Sequence, residues 1–156
     1  MVGRVTLKSQ STNGLSKRQR FHLALPADEE RILELLVDLH RKVGGIYGID
    51  TDAASLIETA RHVMRHGVCL VGESACAGGS IVRYPWNRSA RIGTVLFWNF
   101  NRPSGIHVLA ALAEEFKARG ATHLACSSHF PTNRVGRHYV KSLDMKPVEV
   151  QYLLKL

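Results

Sequence analysis

The sequence has no long apolar run. No stretch approaches the roughly 18 to 20 residues that cross a bilayer, and the first 20 residues lack the apolar centre of a secretory signal. The chain is therefore expected to be soluble and cytoplasmic, with no membrane partner. Cysteine is scarce as well. Cys69, Cys76 and Cys126 are three in number and lack C-x-x-C spacing, which fits reduced thiols better than a disulfide framework. Acid is missing at one end. Residues 1 to 20 hold Arg4, Lys8, Lys17, Arg18 and Arg20 and no Asp or Glu, so the rest of the chain sets 16 basic residues against all 13 acidic ones. The net charge of +8 thus belongs mostly to a basic N-terminal arm. Such an arm is expected to be solvated and partly disordered, and to make at most a weak, salt-sensitive contact with nucleic acid.

What is present is ordinary globular material. Apolar residues make up 45% and charged residues 22% of 156 residues, enough for one domain, expected over residues 21–156. No internal repeat or low-complexity tract interrupts it.

Periodicity orders the elements. "FHLAL" (21–25) is a short strand stopped by Pro26, and Asp28, Glu29 and Glu30 then suit the positive end of a helix carrying Ile32, Leu35, Leu36, Leu39 and Val43 at helical spacing. That helix should end near Gly44 and Gly45. Asp50 or Thr51 can cap a second helix with Ala53, Leu56, Ile57, Ala60 and Val63 inward, and Gly67 stops it. "VCLVGE" (68–73), "AGGSIVRY" (77–84) and "RIGTVLFWNF" (91–100) read as strands joined by a tight Ser74-Ala75 turn and by "PWNRSA", spacings that suit antiparallel hairpins. A third helix over 107–119 buries Val108, Leu109, Leu112 and Phe116, with Gly120 beyond its end. "THLACSS" (122–128) reads as a buried strand, 133–143 as a fourth amphipathic helix and "VEVQYLLKL" as a closing strand. A meander followed by a strand, helix, strand crossover implies a mixed sheet. The expected class is α/β, with a mostly antiparallel sheet of about six strands flanked by four helices.

One junction carries chemistry. The strand ending in Phe97, Trp98 and Asn99 passes through "NRPSG" into the third helix. A helix N-terminus at the carboxyl end of a central strand offers orphan N–H groups and a dipole that favour an anion. Gly105 lets backbone come close to that anion, and Arg102 adds a guanidinium that phosphate oxygens accept in a fork.

These residues resemble the GCN5-related N-acetyltransferases, over roughly residues 20 to 156. "RPSGIH" (Arg102, Pro103, Ser104, Gly105, Ile106, His107) is similar to the family's Q/R-x-x-G-x-G/A pyrophosphate loop, with His107 in place of a small residue. "NRVGRHYVKSLDM" (133–145) resembles its N-x-x-A-x-x-x-Y-x-K-L-G-F segment, placing Asn133 at a coenzyme-contacting position and Val140, beside Tyr139, where many members carry a catalytic tyrosine. The closing strand is the third match. The resemblance implies acetyl-CoA as co-substrate, direct attack of a primary amine on the thioester, and pantetheine paired with the strand around Phe97, Trp98 and Asn99. Tyr139 is then the candidate acid. No carboxylate lies on that strand between Arg91 and Asn101, so Glu73 and His129 are the candidate bases, directly or through water. The acceptor would be a small-molecule or protein amine. Many members pair, so a homodimer is in keeping. The alternative is a non-catalytic binding or assembly module of the same fold that uses its basic arm.

Three other signals receive bland readings. Glu58, His62 and His66 repeat every four residues as metal ligands can, but fall opposite the apolar face of the second helix; no metal site is expected. Strand alternation puts Cys126 on the face away from His123 and His129, as an inert thiol and not a nucleophile. Tyr84, Trp86 and Arg88, with Arg83 and Arg91, mark an exposed aromatic and basic hairpin tip.

Overall fold

Pro26 cannot extend a ladder, so the first strand, β1, is only His22–Leu23 and turns through a 3-10 segment, Pro26–Asp28, into α1, Glu29–Val43. These elements come from a computed structural model, which describes residues 21–43, 52–100, 105–126, 141 and 143–145. The Asp28 carboxylate accepts from the Leu25 N–H at 2.8 Å and lies 3.0 Å from His22 Nε2, contacts that hold its pKa below the usual aspartate value, the backbone bond being the larger cause. Ile32, Leu35 and Leu36 face the core as their spacing predicts.

The second helix, α2, runs over Ala53–His66. Its cap is Asp52, not Asp50 or Thr51: the carboxylate accepts from the N–H groups of Ala54 (3.2 Å) and Ser55 (2.9 Å), satisfying two donors that a first turn leaves open. Of the expected inward face Ala60 and Val63 are buried, Leu56 and Ile57 are half-buried and Ala53 is exposed. Gly67 ends the helix, its N–H bonded to the Val63 carbonyl at 2.9 Å. A two-point contact from Arg61 to Glu29, at 2.6 and 2.9 Å, joins α2 to α1.

The sheet then forms as a meander: β2 (Val68–Val71), β3 (Ala75–Tyr84) and β4 (Asn87–Phe100) pair antiparallel in order, β1 lies outside β2, and β5 (His123–Ala125) runs parallel to β4. Three expectations need correction. The β2–β3 turn is Gly72–Ser74, with Ala75 already in the strand. The β3–β4 turn is only Pro85 and Trp86, because Tyr84 pairs directly with Asn87. The "THLACSS" strand is short and not buried: His123 and Ala125 are exposed and Leu124 and Cys126 half-buried. The parallel crossover itself is as expected.

The crossover helix, α3, spans Gly105–Ala118, starting two residues before its expected place, and buries Val108, Leu109, Leu112 and Phe116. Gly120 follows with φ of 84°, the left-handed conformation glycine takes at a helix end. The sheet separates two apolar layers. Leu35, Leu36, Ala60 and Val63 of α1 and α2 pack on Cys69, Val71, Cys76 and Phe97, whereas Val108, Leu112 and Phe116 of α3 pack on Val68, Leu70, Ala75 and Ala77. Among the described residues there are five strands and three α-helices; the expected 133–143 helix, of which Lys141 and Leu143 are helical, and the closing strand otherwise lie outside them.

Candidate active site

β4 changes character halfway along. On one edge β5 pairs with it only at Ile92, Gly93 and Thr94; past Thr94 that edge has no ladder partner among the described residues. On the other edge the β3 register slips at the same place. Gly79 opposes Val95 and Gly78 opposes Phe97, so Leu96 is an extra residue with no partner, a β-bulge. Gly78 and Gly79 make the slip possible: a Cβ on the first would strike the Phe97 ring and on the second the Thr94 carbonyl.

The extra residue reverses which side chains face which layer. Before it, Gly93 and Val95 face α3, with Gly93 directly under Phe116. After it, Trp98 faces α3 while Phe97 and Asn99 face α1 and α2. Each layer is then tied to the strand by one polar bond. The Trp98 indole N–H donates to the Gly105 carbonyl at 2.9 Å, and the Asn99 amide, 2% exposed, donates to the Leu35 carbonyl. The second bond satisfies a buried polar group and holds α1 against the far half of β4.

Trp98 therefore places the first turn of α3 beside that far half. Gly105 is buried, Ile106 half-buried and His107 exposed. The first N–H groups of a helix have no partner within it and sit at the positive end of its dipole. Phe97, Trp98, Asn99, Gly105, Ile106 and His107 are thus gathered at one end of the sheet. Glu73 lies at the same end, exposed in the β2–β3 turn beyond the Ala75–Phe100 pair, its backbone carbonyl accepting from Arg31. At about 3.3 Å per residue this turn is on the order of 13 Å or more from the bulge. Arg102, Pro103, Ser104, His129, Asn133 and Tyr139 lie outside the described residues.

No thiol is set up for nucleophilic work. Burial pushes the Cys69 and Cys76 thiols up to about 12 and that of Cys126 to about 11, so the thiolate is absent near neutral pH. Glu58, His62 and His66 are all exposed, the two rings 4.9 Å apart on the outside of α2. The bulge and the two polar ties are features sequence reasoning missed. Their one signal was the Gly78-Gly79 pair inside a strand, together with a lone Asn in an apolar run.

Solved structures share this architecture. A protein from Clostridium acetobutylicum, named as a predicted acetyltransferase and solved with acetyl-CoA, matches with a TM-score of 0.67 at 17% identity, over 87% of this chain and 95% of its own. An aminoglycoside N-acetyltransferase in complex with CoA gives 0.67 at 11% identity, over 94% and 99%. A ribosomal-protein-alanine N-acetyltransferase from Brucella melitensis gives 0.62 at 13%, over 88% and 98%. No protein-family model and no curated protein matches the sequence.

Proposed function

We propose that this chain, which has the mixed α/β fold of the GCN5-related N-acetyltransferases, moves an acetyl group from acetyl-CoA to a primary amine on a small molecule or a protein. One observation carries the reading: β4 loses its β5 partner and bulges at Leu96, then delivers its far half beside the N-terminus of α3. Main-chain groups on the open edge past Thr94 are free to pair with an amide-bearing chain such as pantetheine, and the Gly105 end of α3 suits a diphosphate. The residues fit the group, and two proteins of this fold were solved with acetyl-CoA or CoA.

When bound, acetyl-CoA supplies an activated acyl carbon, to which the amine nitrogen bonds as the carbon–sulfur bond breaks. The protein's part is placement and proton traffic. Arg102, Ser104, Gly105 and His107 hold phosphate oxygens, while Pro103 and Ile106 shape the turn. Phe97, Trp98 and Asn99 present the strand edge, and Asn133 adds a coenzyme contact. Glu73 or His129 takes the ammonium proton, directly or through water, and Tyr139 is the donor to the departing sulfur.

Titration calorimetry with acetyl-CoA tests the binding half. The wild type should bind in the micromolar range. Gly105→Glu, which sets a carboxylate against the diphosphate, should weaken binding by about 100-fold or more, with far-UV circular dichroism showing the fold intact. A wild type that binds nothing would replace this reading with the non-catalytic module. The proton acceptor is tested separately. Acetylation of an amine panel should fall at least about 100-fold in His129→Ala or in Glu73→Gln; activity surviving in both removes the two residues from the role.

A further inference from the structure

The β3–β4 hairpin outruns the rest of the sheet. β2 pairs with β3 no further than Gly79, and β5 meets β4 no earlier than Ile92, so residues 80–91 form a two-stranded ribbon with both edges bare among the described residues. Its tip holds exposed aromatic surface. Trp86 is 84% exposed and Tyr84 40%, their rings 5.6 Å apart and edge to face. Nothing in the fold uses these faces.

Its charge has one sign. No Asp or Glu occurs between Glu73 and Glu114, and among the described residues none of Arg83, Arg88 and Arg91 has a carboxylate partner. Arg83 stands directly opposite Arg91 in the ladder, a like-charge pairing that weakens a hairpin unless an anion relieves it. Arg91 lies back toward Gly120 at the end of α3. At the next step Tyr84 pairs with Asn87, leaving residues 88–90 out of register and Arg88 exposed on the rim.

We propose that the Arg83, Tyr84, Trp86, Arg88 and Arg91 ribbon binds single-stranded nucleic acid, the aromatic faces stacking unpaired bases and the guanidiniums contacting phosphates. Each half of the surface needs its own half of that ligand. An acidic peptide would match the arginines and leave the indole without a partner. A bilayer would match indole and arginine, but residues 83–91 contain no Leu, Ile, Met or Phe to insert. Duplex has phosphates but keeps its bases stacked and out of reach. The surface lies at the end of β4 away from α3 and stands apart from acetyl transfer.

The test uses the full-length chain and fluorescence anisotropy of an end-labelled oligouridylate of about 12 nucleotides, with a duplex of equal length as comparison. Trp86→Ala should weaken binding at least about 10-fold, the loss expected for one stacked base; the residue is exposed, so packing is untouched. Three arginine contacts predict a log–log salt slope of roughly −2, reduced by about 0.7 for each of Arg83→Gln and Arg88→Gln. The proposal is overturned if the wild type does not bind, if these variants bind as the wild type does (the basic arm then carrying the charge), or if duplex binds equally well. Tighter binding to phosphatidylserine vesicles or to polyglutamate than to the oligonucleotide also overturns it.

Discussion

Deleting Leu96 is expected to leave the chain unable to fold cooperatively, whereas Leu96→Ala should change stability by no more than about 0.5 kcal/mol. The side chain itself is half-exposed, at 53%, and does little. Its backbone is what counts, because removing one residue from a strand sends every later side chain to the other face. Phe97 would leave the α1 and α2 layer for the α3 layer, a change comparable to losing a core aromatic, about 3 to 5 kcal/mol. The Asn99 amide would enter an apolar layer without the Leu35 carbonyl, costing about 1 to 3 kcal/mol more, and Trp98 would turn away from the Gly105 carbonyl. Together these approach the whole stability of a typical domain, about 5 to 15 kcal/mol. Urea unfolding followed by tryptophan fluorescence and circular dichroism decides it. A deletion variant that unfolds in one transition at the wild-type midpoint would show that the bulge does not set the faces.

Phe116→Ala should cost about 3 to 5 kcal/mol, because the ring is 1% exposed and lies between α3 and the sheet where nothing can collapse into the void. Gly93 is the other half of this contact. A Cβ built on it would fall 2.5 Å from Phe116 Cδ2 and 3.0 Å from Phe116 Cβ, so Gly93→Ala should itself cost about 1 to 3 kcal/mol by overpacking. The double variant is the informative one. With the ring gone the new methyl has room, and the combined loss should fall short of the sum by about 1 kcal/mol or more. Strict additivity in denaturant titrations would mean that the glycine is not there to admit the ring.

The helices were legible because their apolar spacing is unambiguous: Ile32, Leu35 and Leu36, Ala60 and Val63, and Val108, Leu109, Leu112 and Phe116 are each on one face, and each set is buried. The mixed sheet followed from element order. What could not be read was the facing of β4. "TVLFWNF" is apolar at nearly every position, so period-two alternation is hidden and an inserted residue leaves no mark in it. The slip shows only in the partner strand, as two adjacent glycines. Caps behaved similarly: Asp50, Thr51 and Asp52 are all competent, and the choice of Asp52 rests on where α2 begins. At the candidate site the strand-to-helix junction was legible from Gly105 and its neighbours. That the Asn99 side chain would turn from the strand edge into the core toward α1 was not, since it depends on the bulge three residues earlier.

The bare-edged ribbon also bears on how the molecule keeps company with itself. Two exposed strand edges bordered by Val82, Tyr84 and Trp86 are a template for sheet growth from one copy to the next. Arg83 and Arg91, facing each other across the ladder, act as gatekeepers: any second ribbon would have to bring its own pair into the same field. That defence is electrostatic and short-ranged, and it fades as the Debye length shrinks from about 10 Å at 0.1 M salt to about 3 Å at 1 M. Colloidal stability of this protein is therefore tied to low ionic strength, the reverse of the usual habit of adding salt to keep a basic protein in solution.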